Sequence, residues 1–377
     1  MPRCSVRLMR VTMPFMLSVL ILLGLAPGVR SVQAQIWAAG MVGATLSPAI
    51  SLSAPSGGVG TSANLGAQGF LASGSLSVAF DGTRITSCMA DAVGSLAACP
   101  LVIPAASAGM HNVLVTDSAG NAASVPFTIV PVLILSTAAG PVGGRALVAG
   151  QGFAAFALIS IAFDGIAVAF CSADALGTLS ACAFTVPVAV AGAHTILAVD
   201  SSGDVASTSF SVIPVISVAA GAGAVSATVE GRGFAALGSV VVSFDGIAVA
   251  SCLADTAGTL SSCAFTVPLS AAGLHSIRAV DNTGHGASAS FSVSPALSLS
   301  PSAGMVGARA VMEGRGFAAS RAVKVTFDGV LATSCATDLR GTLSGCAFVI
   351  PPEVPGAHRV AAIDSNGHGV SLPFTIT

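Results

Sequence analysis

The sequence predicts an all-β chain of four tandem antiparallel β-sandwiches, each of about seven strands. Three observations predict it. Gly-Phe pairs stand at Gly69-Phe70, Gly152-Phe153, Gly233-Phe234 and Gly316-Phe317, and Phe-Asp-Gly triplets begin at Phe80, Phe163, Phe244 and Phe327. Both series step by 83, 81 and 83 residues, the mark of a repeated structural unit. Apolar residues come in short alternating runs of Val and Ala, with turn signals roughly every ten residues, which suits strands. Two cysteines recur eleven positions apart in every unit: Cys88/Cys99, Cys171/Cys182, Cys252/Cys263 and Cys335/Cys346.

The N-terminus comes first. Arg3, Arg7 and Arg10 precede an apolar run from Val11 to Leu25, and Val32-Gln33-Ala34 offers a small-residue cleavage site. Residues 1–34 therefore read as a secretory signal peptide, and Pro14, Gly24 and Pro27 argue against an uncleaved anchor helix. The chain is 53% hydrophobic and 8% charged, a balance that would suit a membrane protein. Yet after Leu25 no run of about 18 apolar residues is free of Gly, Ser, Asp or Pro, so no membrane span is expected in the mature chain. Removing the signal peptide takes away Arg3, Arg7, Arg10 and Arg30 and no acid. That leaves ten of the 14 basic groups against 16 acids, a net charge of about −6 with His neutral. With Lys324 as the one lysine, there is no electrostatic footprint for nucleic acid and no polybasic patch for anionic lipid.

Residues 35–47 form a lead-in holding Trp37, the one tryptophan. The repeats follow at 48–131, 132–214, 215–295 and 296–377, with Pro131, Pro214 and Pro295 closing the first three. In the third repeat Val215 to Val218 is a short strand, and Ala227 to Glu230 a second, ended by Gly231-Arg232-Gly233. Ser239 to Phe244 alternates, with Val240, Val242 and Phe244 on one face. Asp245-Gly246 is the signal of a type I′ hairpin turn. Ile247 to Leu253 is the next strand, and Asp255 to Gly258 turns the chain again with Asp first and Gly fourth. Leu260 to Val267 returns, and Pro268 stops it. His275 to Val280 and Ala289 to Val293 complete seven strands, an antiparallel sandwich of immunoglobulin type.

Export would place the eight remaining cysteines in an oxidising compartment, where disulfides are the default. Cys252 and Cys263 flank the Asp255–Gly258 turn almost symmetrically, so each pair is expected as a bridge across one hairpin. Cys263 shares its face with Phe265 and Val267, which points the bridge into the core.

The pattern resembles the IPT/TIG family of immunoglobulin-like domains. The resemblance rests on the Ser300 to Gly304 turn, on Gly-x-Gly-Phe at Gly150 to Phe153, Gly231 to Phe234 and Gly314 to Phe317, on the strand into Phe-Asp-Gly, and on the late Val-Pro. The first repeat departs, with Ala67-Gln68-Gly69-Phe70, and paired cysteines are not general in that family. A weaker similarity runs to the secreted apoproteins that carry enediyne antibiotics.

Candidate sites are few. Gly-x-Gly-Phe is not a phosphate loop, because a strand and not a helix follows it. Twelve of the 13 aspartates sit at three repeated positions, where Asp caps turns by accepting from backbone N–H groups two residues on. The sharper reading is calcium, at Asp91, Asp117, Asp174, Asp200, Asp255, Asp281, Asp338 and Asp364, whose turns would share one end of each repeat. Two carboxylates per end are thin for an ion that takes six to eight oxygens. His111, His194, His275 and His358 each begin a strand on an apolar face and are expected to have a backbone partner, while His285 and His368 lie in turns. No nucleophile-base-acid set stands out, so no catalytic residue and no cofactor is expected. Without tyrosine, and with the repeated Phe residues on the core face, aromatic sugar stacking is disfavoured.

The sequence thus leads to an exported, non-enzymatic tandem repeat protein, secreted or held at the cell surface. It would act as a structural or adhesion module whose partner is a protein or glycan at the cell exterior. The alternative is a secreted binding protein for a glycan or small apolar ligand, using domain-end loops.

Overall fold

A computed structural model describes residues 47–220 and 225–377. The expected signal peptide, and all of the lead-in except Ser47, lie outside the described residues. Every regular element described is a strand. Among the described residues no helix is long and apolar enough to cross a membrane.

The third repeat sets the pattern. Its first strand (Val215–Ala219), second (Ser226–Arg232) and fifth (Leu260–Thr266) form one sheet in the order first-second-fifth. Its third (Ser239–Phe244), fourth (Ile247–Leu253), sixth (Gly273–Asp281) and seventh (Gly286–Val293) form the other, in the order fourth-third-sixth-seventh. All pairings within these seven strands are antiparallel. Alternation does the work of burial: Val240, Val242 and Phe244 face inward with Val229, Cys263 and Ile277. Asp245 and Gly246 both have positive φ, 48° and 85°, as a type I′ turn requires. The first, second and fourth repeats copy this plan, and in them the described residues also include a short strand, Ser56–Gly57, Ala139–Pro141 and Ala303–Gly304, laid parallel on the last strand. Two or three residues carry no readable periodicity, and their partner lies some 70 residues on, so local sequence gives no sign of them.

The cysteines bond in the expected pairs, Cys88–Cys99, Cys171–Cys182, Cys252–Cys263 and Cys335–Cys346. The hairpin expectation needs correction, however, for all four. The fourth and fifth strands are not paired with each other; each is the outer edge of a different sheet. Cys99, Cys182, Cys263 and Cys346 lie on the fifth strand of their repeats, in the three-stranded sheet. They are core residues, 0%, 0%, 0% and 2% exposed. Their partners Cys88, Cys171, Cys252 and Cys335 lie on the fourth strand of the facing sheet and are half-buried. The Asp255–Gly258 turn is therefore an arch from one sheet to the other. Ala254, 2% exposed, plugs the core inside it, which a flat hairpin would not allow. Each disulfide staples the two sheets at their open edges, with Cα–Cα distances of 5.8–6.1 Å. The same edge is blunted by a bulge, in which Val249 is an extra residue opposite the Val242–Ser243 step and packs against the core.

Gly231 explains why the first repeat departs from Gly-x-Gly-Phe. A Cβ there would lie 2.6 Å from Phe234 Cε2 and 3.0 Å from Val215 O. Ala67 occupies the equivalent place in the first repeat, where Phe70 is 7% exposed while Phe153, Phe234 and Phe317 are fully buried. Gly231→Ala is expected to destabilise the third repeat by about 1–3 kcal/mol through overpacking, read as a lower urea midpoint, whereas Ala67→Gly stays within about 1 kcal/mol.

Candidate functional site

The repeated residues converge on the joints between repeats. Gly233 and Phe234 lie where the second repeat ends. A Cβ on Gly233 (φ 75°) would meet Ile213 O at 3.2 Å and Val212 Cγ1 at 3.3 Å. On Gly316 it would meet Ser294 O at 2.7 Å. The glycines thus let each repeat close onto the last strand of the one before it. The following Phe ring enters its own core, and its carbonyl turns back to accept a hydrogen bond from a loop of the preceding repeat. Ala108 N–H donates to Phe153 O at 3.0 Å, Ala191 N–H to Phe234 O at 3.3 Å and Ala272 N–H to Phe317 O at 2.9 Å.

The eight cysteines take no part in these joints. Every sulfur is committed to a bridge inside its own repeat, and Cys99, Cys182, Cys263 and Cys346 are sealed in the cores. They form structural staples and not a metal-ligating or redox centre.

Both sets of turn aspartates brace the Gly-Phe loop, one through buried carboxylates and the other, exposed, through its main-chain carbonyls. Asp117, Asp200, Asp281 and Asp364 are buried. Oδ2 of each accepts an N–H of that loop, from Leu71, Ala154, Ala235 and Ala318 respectively, at 2.7–2.8 Å. Oδ1 of each accepts the N–H groups two and four residues on in its own turn. In the other set, Oδ1 of Asp91, Asp174, Asp255 and Asp338 caps its own turn in the same way. Asp255 also offers its main-chain carbonyl to Leu237 N–H at 2.9 Å. The two turns do share one end of the repeat, as the alternation of strands implies. Among the described residues no group of three or more His, Cys, Asp or Glu side chains could hold a metal ion.

The third repeated aspartate, in the Asp-Gly turn, has a partner that its local role conceals. His111, His194, His275 and His358 place Nδ1 2.5–2.7 Å from Oδ2 of Asp81, Asp164, Asp245 and Asp328. The backbone partner expected for each histidine is present at Nε2, as the carbonyl of Ser107, Val190, Ala271 and Val354, at 2.8–2.9 Å. Each ring also lies against the Phe of Phe-Asp-Gly, with centroids 4.8–5.1 Å apart. The constant interval of 30 residues between Asp and His was the one sequence signal for this pair. His285 and His368 lie in turns, half-exposed, beside Thr283 and Asp364.

The fourth repeat keeps its Asp328–His358 pair but differs at the loop tip. Pro355 stands where Ala108, Ala191 and Ala272 stand in the others, and proline has no N–H to donate. Beside the joint of the second and third repeats, an open groove of about 400 Å³ lies between Val142 and the three-stranded sheet of the third repeat, lined by Ile216, Glu230, Arg232, Leu260 and Ser261 among others.

No known protein family matches the chain, and no curated protein matches it. Solved structures do. A tetra-tandem repeat from the extending region of a large adhesion protein is 16% identical, covering 88% of this chain and 99% of its own, with a TM-score of 0.24. Invasin, a bacterial integrin-binding protein, is 12% identical over 88% of this chain and 79% of its own, with a TM-score of 0.22. SGBP-B of the Bacteroides ovatus mixed-linkage glucan utilization locus, solved with a heptasaccharide, is 13% identical over 81% and 92%, with a TM-score of 0.23.

Proposed function

We propose that this chain is an exported, non-enzymatic array of immunoglobulin-like repeats of IPT/TIG type that serves as a structural or adhesion module at the cell exterior. One observation carries the reading: cysteines, turn aspartates, strand-leading histidines and Gly-Phe pairs are all committed to staples, turn caps and joints. Four disulfides suit an oxidising compartment. The basic, then apolar, then small-residue layout of 1–34 suits export.

Protease added to intact cells tests it. Full-length chain should disappear without lysis; a chain protected until the cells are broken would overturn the reading. The groove beside Glu230 and Arg232 sets hydroxyls and charges next to Val142, Val215, Ile216 and Leu260, a mixed lining that suits the polar edges and apolar faces of a glycan if binding is the role. A glycan array probed with residues 35–377 separates the two: a spacer gives no signal, and a glycan binder gives a signal that Glu230→Ala removes.

A further inference from the structure

We propose that the histidine of each of the first three repeats holds the next repeat in place only as the doubly protonated imidazolium, so that each joint loosens when its ring loses a proton. Both ring nitrogens of His275 face acceptors. Nδ1 is 2.7 Å from a carboxylate oxygen of Asp245, and Nε2 is 2.9 Å from the carbonyl oxygen of Ala271. The other oxygen of Asp245 is taken by Ser276 N–H at 2.9 Å. A carbonyl oxygen and an ionised carboxylate only accept, and a neutral imidazole has a single N–H to give. Both contacts are satisfied together by the charged ring; on loss of one proton the carboxylate, the stronger acceptor, keeps the N–H at Nδ1, and Nε2 no longer donates to Ala271. The face of Phe244, 4.8 Å away, also favours the cation.

The second step links the ring to the joint. Ala271 C=O and Ala272 N–H are the two ends of one peptide group. Its oxygen is held by His275, and its N–H donates to Phe317 of the next repeat at 2.9 Å. A donor on the oxygen fixes the plane of that group and polarises its N–H, strengthening the bond across the joint. The same chain of contacts runs Asp81–His111–Ser107/Ala108–Phe153 and Asp164–His194–Val190/Ala191–Phe234.

Few other charges face these rings. The docking loops 104–109, 187–192 and 268–273 contain no ionisable residue. The residues opposite on the last strand are Phe127, Phe210 and Phe291. The fourth repeat is the built-in control. His358 holds Asp328 and Val354 O, with Glu353 in its loop and Arg359 beside it, but the peptide group it braces ends on Pro355 and donates nothing. Hydrogen bonds from this ring to Asp328 and Val354, with Glu353 nearby, raise its pKa above the ordinary 6.5. A ring of raised pKa stabilises the folded state below the unfolded value, and that contribution is lost as pH rises through the folded one.

Amide hydrogen exchange on the full chain, normalised at each pH to the intrinsic rate, tests the proposal. Protection of the Ala108, Ala191 and Ala272 amides should fall about tenfold or more as the imidazoles titrate, while amides within the strands stay protected. His275→Gln should lower protection of Ala272 alone and abolish its pH dependence, whereas His358→Gln should leave all three joints unchanged. Equal effects of the two variants, or joint amides whose protection does not follow the titration, would overturn it. Should His275→Gln fail to fold, ring ¹⁵N shifts of the unaltered protein decide: both nitrogens of His111, His194 and His275 should carry protons below the titration, and a neutral tautomer there contradicts the proposal.

Discussion

Replacing Cys252 and Cys263 together by alanine should lower the stability of the third repeat by about 3 kcal/mol, with a further loss from the cavity left at Cys263. The bridge closes a loop whose ends are eleven residues apart, and Cys263 is fully buried. Its position makes the effect large. The fourth and fifth strands share no backbone ladder, so without the bridge only side-chain packing and the short arch over Ala254 hold the two sheet edges together. A repeat of about 80 residues has a net stability of only about 5–15 kcal/mol, so a loss of this size is a large fraction of it. Calorimetry of the full chain should show one repeat melting early in the double variant and all four melting earlier under reductant. A variant that melts with the parent would show that the staple is dispensable.

Asp281→Ala should cost the same repeat about 1–3 kcal/mol, because it removes the buried acceptor that ties the Gly-Phe loop to the turn and leaves half-buried donors without it. One carboxylate accepts from Ala235 N–H, Thr283 N–H, His285 N–H and the Thr283 hydroxyl, and it is 5% exposed. Asp281→Asn keeps one acceptor oxygen and should lose less. Burial pushes the Asp281 carboxyl up, but hydrogen bonds from Thr283, Ala235 and His285 outweigh it and hold the group below its ordinary 3.8. A depressed carboxyl pKa stabilises the folded state above the unfolded value and loses that contribution as pH falls through the folded one. Stability of the third repeat should therefore decline below about pH 4, and in Asp281→Ala the decline should be shallower. Urea midpoints between pH 2 and pH 6 give the slopes.

Much of this architecture could be read from residues alone. Period-two alternation at Val240, Val242 and Phe244 marked a buried face, and Asp245-Gly246 marked a turn that the positive φ values show to be there. The interval of 81–83 residues gave the repeat, and the cysteine spacing gave the pairing. What alternation cannot supply is the identity of a strand's neighbour. It shows which side chains face inward but leaves open which sheet Leu260–Thr266 joins, so the arch over Ala254 looks like a hairpin in sequence. The same ambiguity holds for the strands that carry Cys99, Cys182 and Cys346, which alternation buries without saying that they face Cys88, Cys171 and Cys335 across the gap between two sheets. The Asp245–His275 pair escapes the sequence for a related reason. Turn capping accounts for Asp245 locally, and contact with a histidine 30 residues away depends on register set by the whole sheet. The role of Gly-Phe at the joints needs a second repeat in place, because its acceptor carbonyl meets a donor only across the boundary.

At each junction one peptide group bonds across to the next Gly-Phe, and through-hydrogen-bond scalar couplings measure that bond directly. Couplings are expected from the amide of Ala108 to the carbonyl of Phe153, from Ala191 to Phe234 and from Ala272 to Phe317. Couplings from those amides to acceptors within their own repeat, or rapid exchange of all three with solvent, would contradict it.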